Sequence, residues 1–420
     1  MEANQQARWA TLDRDTARSL DMADPLRARR DLFALPEGII YMNGNSLGAA
    51  PRAAATRMDR MIRAEWGQDL IGSWNAHDWI RAPQRVGARI ARLIGAAPDE
   101  VIVADTTSVN LFKLLVSACT LRSGRSTILS EPGNFPTDLY IAQGVAATLP
   151  GRVVKIVAAD RLCDAIDDDT AVVLLTHVHY RSGAMHDMAA ITAAAHARGA
   201  LVLWDLSHSV GALPVDLNGC AADLAVGCGY KYLNGGPGAP AFLFVAKRLQ
   251  DTLISPLTGW MGHGAPFSFD DDYVPASGMS RFLCGTPPIL AIAALEEGVA
   301  LFDDVAPEDM LAKSRSLGDH FIRLVEARCA GHGLTLISPR DAARRGSHVS
   351  FSHPEAYALC QALIARGVVG DFRAPDAIRF GFTPLYLGFE DIWRAVDTLS
   401  QILQERIWDR PEYKMRAAVT

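Results

Sequence analysis

The chain has 420 residues, of which 49% are hydrophobic and 21% charged, with a formal net charge of -6. That length suits a large domain with a smaller one, and the acidic balance leaves no basic footprint for a nucleic acid. The seven cysteines form no CxxC pair and the eleven histidines no metal-ligand cluster, so reduced thiols in a cytoplasmic protein are expected, with no disulfide framework and no metal site. No signal-peptide stretch or bilayer-spanning apolar run is present.

In chain order, residues 1–60 read as a helical start followed by an extended arm, "GIIYMNGNSLGAAP". Residues 61–300 alternate helical patterns with short apolar runs: "VIVA", "STILS", "RVVKIV", "AVVLLT", "ALVLWD", "LAVG" and "AFLFV". Near-continuous apolar strands separated by helices predict an α/β domain with a mainly parallel seven-stranded sheet, covered on both faces. Ligands of such sheets bind beyond the carboxyl ends of the strands. Helix "PPILAIAALEEGVALF" is expected to lead into a smaller α+β domain over 301–420. Its elements are a helix over about 306–329, "SHVSFSH", "PEAYALCQALIARG", "AIRFGF" and a last helix near 389–406.

An α/β domain invites a nucleotide loop, but neither GxxxxGK[ST] nor a GxGxxG that opens a helix is found. "GGPGAP" precedes a strand and reads as a tight turn. Four strand ends carry polar residues instead. "ADTTSVNLF" sets Thr107 and Ser108 at a helix start, either an anion cradle or a plain N-cap. "GNFPTD" sets Phe135 beside Asp138, a stacking ring and an acid that equally fits the first turn of a helix. "ALVLWDLSH" ends a strand on Asp205, with His208 three residues on; a buried carboxylate there needs a partner. Lys231 follows "LAVGCGY", 26 residues after Asp205, where apolar surroundings would make its amine nucleophilic. Together, an anion cradle, a stacking ring, a buried acid and a buried amine match the needs of pyridoxal 5′-phosphate (PLP).

The order of these parts resembles the fold type I PLP-dependent transferases of the class V aminotransferase-like branch, and within them the kynureninase family. The matching segments are "YMNGNSLG", "DTTSVNL", "EPGNFPTD", "WDLSHSVGA", "GYKYLNGGPGAPAFLFV", "GWMGH" and "IRFGFTPLY", which run from about residue 40 to 390. The resemblance implies that Lys231 forms the Schiff base and that Asp205 pairs with the pyridine nitrogen, with His208 in its network. It implies that Phe135 stacks on the ring, that Thr107, Ser108 and Tyr230 bind phosphate, and that Asp138 and Thr176 are further cofactor contacts. Trp260 and Thr286 would reach the phosphate of a neighbouring subunit, which implies a homodimer with composite sites. Arg379 would bind the substrate α-carboxylate, and Trp74, His77 and Gly285 would line an aryl pocket.

The implied reaction is hydrolytic cleavage of the Cβ–Cγ bond of L-kynurenine to anthranilate and L-alanine, a step of tryptophan breakdown, with Lys231 as base and Tyr230 as a proton donor or relay. Relatives that favour the 3-hydroxylated substrate carry Ser-Asn where this chain has Gly285-Thr286, and a histidine near Gly72. That departure leads us to expect a preference for unsubstituted kynurenine. The alternatives are a cysteine desulfurase, selenocysteine lyase or aminotransferase on the same scaffold, or a non-catalytic binding subunit. A desulfurase needs a loop thiol, whereas Cys329 and Cys360 fall near a helix end and within a helical pattern. A non-catalytic chain would be expected to lose Lys231 or Asp205.

Overall fold

The computed structural model describes residues 13–416. The residues ahead of Asp13, part of the expected helical start, lie outside that range. The chain forms two compact units. One holds Ala53–Tyr180 and His186–Asp303; the other holds the residues up to Arg52, Arg181–Met185 and the residues from Asp304 on.

The first unit is built on a seven-stranded sheet. Its strands are β1 (Val101–Val103), β2 (Thr127–Ser130), β3 (Val153–Ile156), β4 (Thr170–Thr176), β5 (Leu201–Asp205), β6 (Leu224–Gly227) and β7 (Phe242–Val245). Their order across the sheet is β1-β7-β6-β5-β4-β2-β3. Strands β2 to β6 pair in parallel, while β7 is antiparallel to both of its neighbours. The sheet is therefore mainly parallel, with one reversed strand inserted between β1 and β6. All seven expected strands form, because each is an apolar run long enough to cross the sheet once. Every residue of β4, β5, β6 and β7 is buried, as strands covered on both faces require. Helix Thr107–Leu121 packs Leu111, Leu114, Leu115 and Ala118 into a core with Ile128, Val172, Leu174, Leu203 and Val226. Each leucine so buried contributes about 1.5–3 kcal/mol. β3 closes one edge with exposed Val153 and Ile156, and its Lys155 blunts that edge.

Ahead of the sheet, Met61–Trp66 winds as a π-helix, a rare geometry that is frequent at functional sites. It turns Glu65 inward, fully buried. The carboxylate accepts from Arg57 Nη1 at 2.5 Å and Trp79 Nε1 at 2.9 Å, and the Glu65 carbonyl accepts from Ser73 Oγ. This pins the short helix Ser73–Ala76.

The second unit carries a four-stranded antiparallel sheet. Its strands are β8 (Thr335–Leu336), β9 (His348–Ser352), β10 (Asp371–Arg373) and β11 (Ala377–Gly381), in the order β10-β11-β9-β8. Helices Pro307–Arg328, Ala356–Ile364 and Phe389–Gln404 belong with it. Phe321 packs on Phe380, with ring centroids 4.7 Å apart, and on Phe382 at 5.5 Å. The arm joins this unit: Ile40–Tyr41 pairs in parallel with Val368–Val369. Asp21 accepts from the backbone N–H groups of Phe389 and Glu390 at 2.6 and 2.9 Å, so the helix Arg14–Met22 caps helix Phe389–Gln404. Among the described residues, no helix is long and apolar enough to cross a membrane.

Candidate active site

The carboxyl ends of β2, β4, β5 and β6 meet on one side of the first sheet, where such folds bind ligands. β5 ends on Asp205, whose side chain is buried and accepts from Ser207 N at 2.7 Å. β4 ends on Thr176, whose hydroxyl donates to Asn134 Oδ1 and contacts Asp138 Oδ2 at 3.2 Å. Asn134 also holds the backbone N–H of Phe135 at 2.8 Å, which fixes the turn that opens helix Pro136–Thr148. Asp138 sits in the first turn of that helix and is completely buried, with Oδ1 lacking a hydrogen-bond partner.

Burial first, and then the charge of Asp205, push the Asp138 carboxyl well above the ordinary carboxylate range. Burial also raises Asp205, against the Ser207 hydrogen bond and the Lys231 charge. Two buried acids thus share one amine. Lys231, delivered by the turn after β6, is 7% exposed. Its Nζ lies 3.3 Å from His208 Nε2, 5.5 Å from the Phe135 ring centroid and 5.8 Å from that of Tyr230. Phe135 is braced edge-on by Tyr180, with centroids 5.4 Å apart. The turn after Lys231 depends on glycine: a Cβ at Gly235 would fall 2.7 Å from the Gly229 carbonyl, and Gly236 has φ +83°.

β1 leads to helix Thr107–Leu121. Thr106 is the N-cap, accepting from Val109 N at 3.3 Å, so Thr107 and Ser108 occupy its first turn. Their position at a helix start suits an anion. Lysine, the two acids, His208, Phe135, Tyr230 and Thr176 are thus brought together as expected. Sequence reasoning missed Asn134 and His177. The latter is buried beside Trp204, and burial, then His186, hold its imidazole down at about 4, so it is neutral at physiological pH.

Other candidates fall in separate clusters. Trp74 packs edge-on against Trp79 at 6.0 Å, and His77 Nε2 lies 2.7 Å from Asp69 Oδ2. Trp260 is 41% exposed and stacks edge-on with exposed Phe267; Gly285 and Thr286 are exposed as well. In the second unit, Arg379 is buried on β11. Its Nε and Nη2 donate to the two oxygens of Asp371 at 2.9 and 2.6 Å, and Nη2 to Ser46 Oγ at 2.9 Å. Arg373 Nη2 reaches the same carboxylate at 2.7 Å, so two guanidiniums share one acid. This brings "YMNGNSLG" against "IRFGFTPLY": a Cβ at Gly381 would lie 2.0 Å from Asn45 Oδ1. Neither Asp371 nor Ser46 was foreseen.

PLP, the group the resemblance implies, fits the first unit's residues. Asp138 Oδ1 is an orphaned buried acceptor, and Asp138 and Asp205 are two buried acids whose charge a protonated ring nitrogen would help offset. One consequence is measurable without cofactor. A carboxyl raised in the folded state contributes stability that is present below its unfolded pKa and lost as pH rises through its folded pKa. Asp138→Asn is therefore expected to raise the thermal midpoint of the apo protein at neutral pH. The gain should shrink as pH falls toward the ordinary carboxylate range. Melting curves across pH check this, and a gain independent of pH would contradict it.

The fold and this lysine–carboxylate site define a fold type I protein. Solved structures share the fold at low identity. The apo cysteine desulfurase of Thermococcus onnurineus NA1 aligns with TM-score 0.75 and 18% identity over 90% of this chain and 98% of its own. A C-DES variant with glycine covalently linked to its PLP cofactor aligns with TM-score 0.77 and 17% identity, over 88% and 98%. The chain itself belongs to the kynureninase family. It is 53% identical over 413 residues to a kynureninase of Burkholderia mallei (strain SAVP1), covering 97% of this chain and 99% of that protein. It is 51% identical to the kynureninase of Pseudomonas fluorescens over the same shares. Residues 310–399 match the kynureninase C-terminal domain.

Proposed function

We propose that the chain is a PLP-dependent hydrolase that cleaves the Cβ–Cγ bond of L-kynurenine to anthranilate and L-alanine. The observation that carries this is the buried Lys231 held beside Asp205 and Asp138, under Phe135, in a chain of this family. When bound, PLP supplies an electron-withdrawing ring that makes the substrate Cα–H acidic.

This chain's residues do the rest. The N-terminal turn at Thr107 and Ser108, with the Tyr230 phenol, holds the phosphate. Asp205 holds the ring nitrogen protonated, because burial makes an ion pair there worth more than in water. Phe135 covers a ring face. Lys231 Nζ takes the α-proton. Water adds to the γ-carbonyl and the Cβ–Cγ bond breaks; the water oxygen stays with anthranilate, Tyr230 Oη gives a proton to Cβ, and Lys231 Nζ returns a proton to Cα to complete alanine. Arg379 binds the α-carboxylate, with Asp371 holding its Nε–Nη2 edge.

The active form is a homodimer in which Trp260 and Thr286 serve the neighbour's phosphate. Exposed Trp260, Phe267 and Phe269 support this, since apolar surface of that kind marks an interaction site. All seven cysteines are free, in keeping with a reducing cytoplasm. The desulfurase alternative fares poorly. Cys360 is buried within helix Ala356–Ile364, its thiol pushed far up by burial, and buried Cys329 is pushed up to about 11. Neither offers a thiolate.

At Gly285 a Cβ would meet nothing within 4 Å, and the same holds at Gly72. No polar side chain therefore stands at either position to recognise a 3-hydroxyl. The expected result is a higher kcat/KM for kynurenine than for 3-hydroxykynurenine, read from anthranilate or 3-hydroxyanthranilate fluorescence. A marked preference for the hydroxylated substrate would sink the pocket assignment. Absence of turnover with either would sink the function.

A further inference from the structure

Lys113 is the one charged residue in helix Thr107–Leu121, and its side chain is fully buried. An ammonium in an apolar helix costs more than a leucine of similar size unless something fixes it. Its Nζ donates to Asp105 Oδ2 at 2.6 Å and to the Phe282 carbonyl at 2.6 Å. Asp105 is the residue before the N-cap Thr106 and has a left-handed backbone, φ +49°, a conformation uncommon outside glycine that aspartate tolerates better than most residues. Its carbonyl accepts from Ala241 N at 2.9 Å, at the end of the turn that follows Lys231. On the other side, Phe282 leads through Leu283 and Cys284 to Gly285 and Thr286. The Cys284 carbonyl accepts from Met261 N at 3.2 Å, which ties in the residue after Trp260.

We propose that Lys113 is a positioning residue for cofactor phosphate. One ammonium locks the loop that aims the Thr107–Ser108 turn and anchors the backbone that presents Thr286 and Trp260. The own-subunit cradle and the residues lent to the neighbour are thereby fixed to the same atom. This rests on the assignment of PLP to the site, and deepens it. Lys113 touches neither cofactor nor substrate in this scheme; it acts through Asp105 and Phe282.

The test is PLP titration of the apo forms of wild type, Lys113→Met and Asp105→Asn, followed by near-visible absorbance, with apo melting curves alongside. The expected result for Lys113→Met is PLP affinity weakened by about tenfold or more, the loss of one charge-assisted hydrogen bond. The apo midpoint should fall only slightly, and KM for kynurenine at saturating PLP should stay near wild type. Asp105→Asn should move affinity the same way, and it carries the test if Lys113→Met does not fold. Unchanged PLP affinity in a folded Lys113→Met, or in Asp105→Asn when the former is unfolded, overturns the positioning role alone. A wild type that binds no PLP overturns the cofactor assignment and this role together.

Discussion

Lys231→Ala is expected to abolish turnover, lowering kcat/KM by about 10⁴-fold or more, since it removes both the nucleophilic amine and the base. No other amine can take over. Among the described residues the buried lysines are Lys113, Lys231 and Lys313. Lys113 is committed to Asp105 and Phe282, and Lys313 to Asp24 at 2.6 Å in the other unit. His208, whose Nε2 lies 3.3 Å from Lys231 Nζ, has no chemistry to form the same linkage to an aldehyde. Anthranilate fluorescence should be lost, and so should the near-visible band that belongs to the lysine-linked form of the cofactor. Substantial turnover by the variant would mean that another residue carries the reaction.

Asp205→Asn is expected to lower kcat by about 10²–10³-fold, the scale for losing one preorganised electrostatic contact. Its side-chain oxygen can still accept from Ser207 N, so the strand end keeps its shape while the charge is lost. A neutral amide cannot hold a ring nitrogen protonated. The cofactor should bind but withdraw electrons poorly, so its absorbance should survive while proton removal from Cα slows. Measuring exchange of the substrate α-hydrogen with deuterated solvent separates this from a folding defect. An Asp205→Asn variant with wild-type exchange and kcat would leave Asp205 a purely structural acid.

Much of this architecture was legible in the sequence, for physical reasons. Each strand of the large sheet is a compact apolar run, so its position shows without knowledge of its neighbours. Lys231, Asp205, Asp138 and Phe135 stand at the ends of such runs, where a polar side chain invites a functional explanation. The sheet order was not legible: nothing local says that Phe242–Val245 reverses and inserts between β1 and β6. Contacts between distant segments were equally hidden. Ser46 and Arg379 meet at 2.9 Å across most of the chain, and Asp371 gave no signal apart from its place near that arginine. Lys113 did leave a trace, as a lone charge inside "VNLFKLLVSAC", and a search for solitary charges in apolar helices would have found it.

The most direct measurement is to incubate the PLP-loaded wild type with L-kynurenine in ¹⁸O-labelled water and analyse the products by mass spectrometry. Hydrolytic cleavage requires anthranilate and alanine in equal amounts, with one solvent oxygen in the new carboxylate of anthranilate. An intact aryl ketone carrying a keto acid in place of the amine, with no anthranilate formed, would contradict the account.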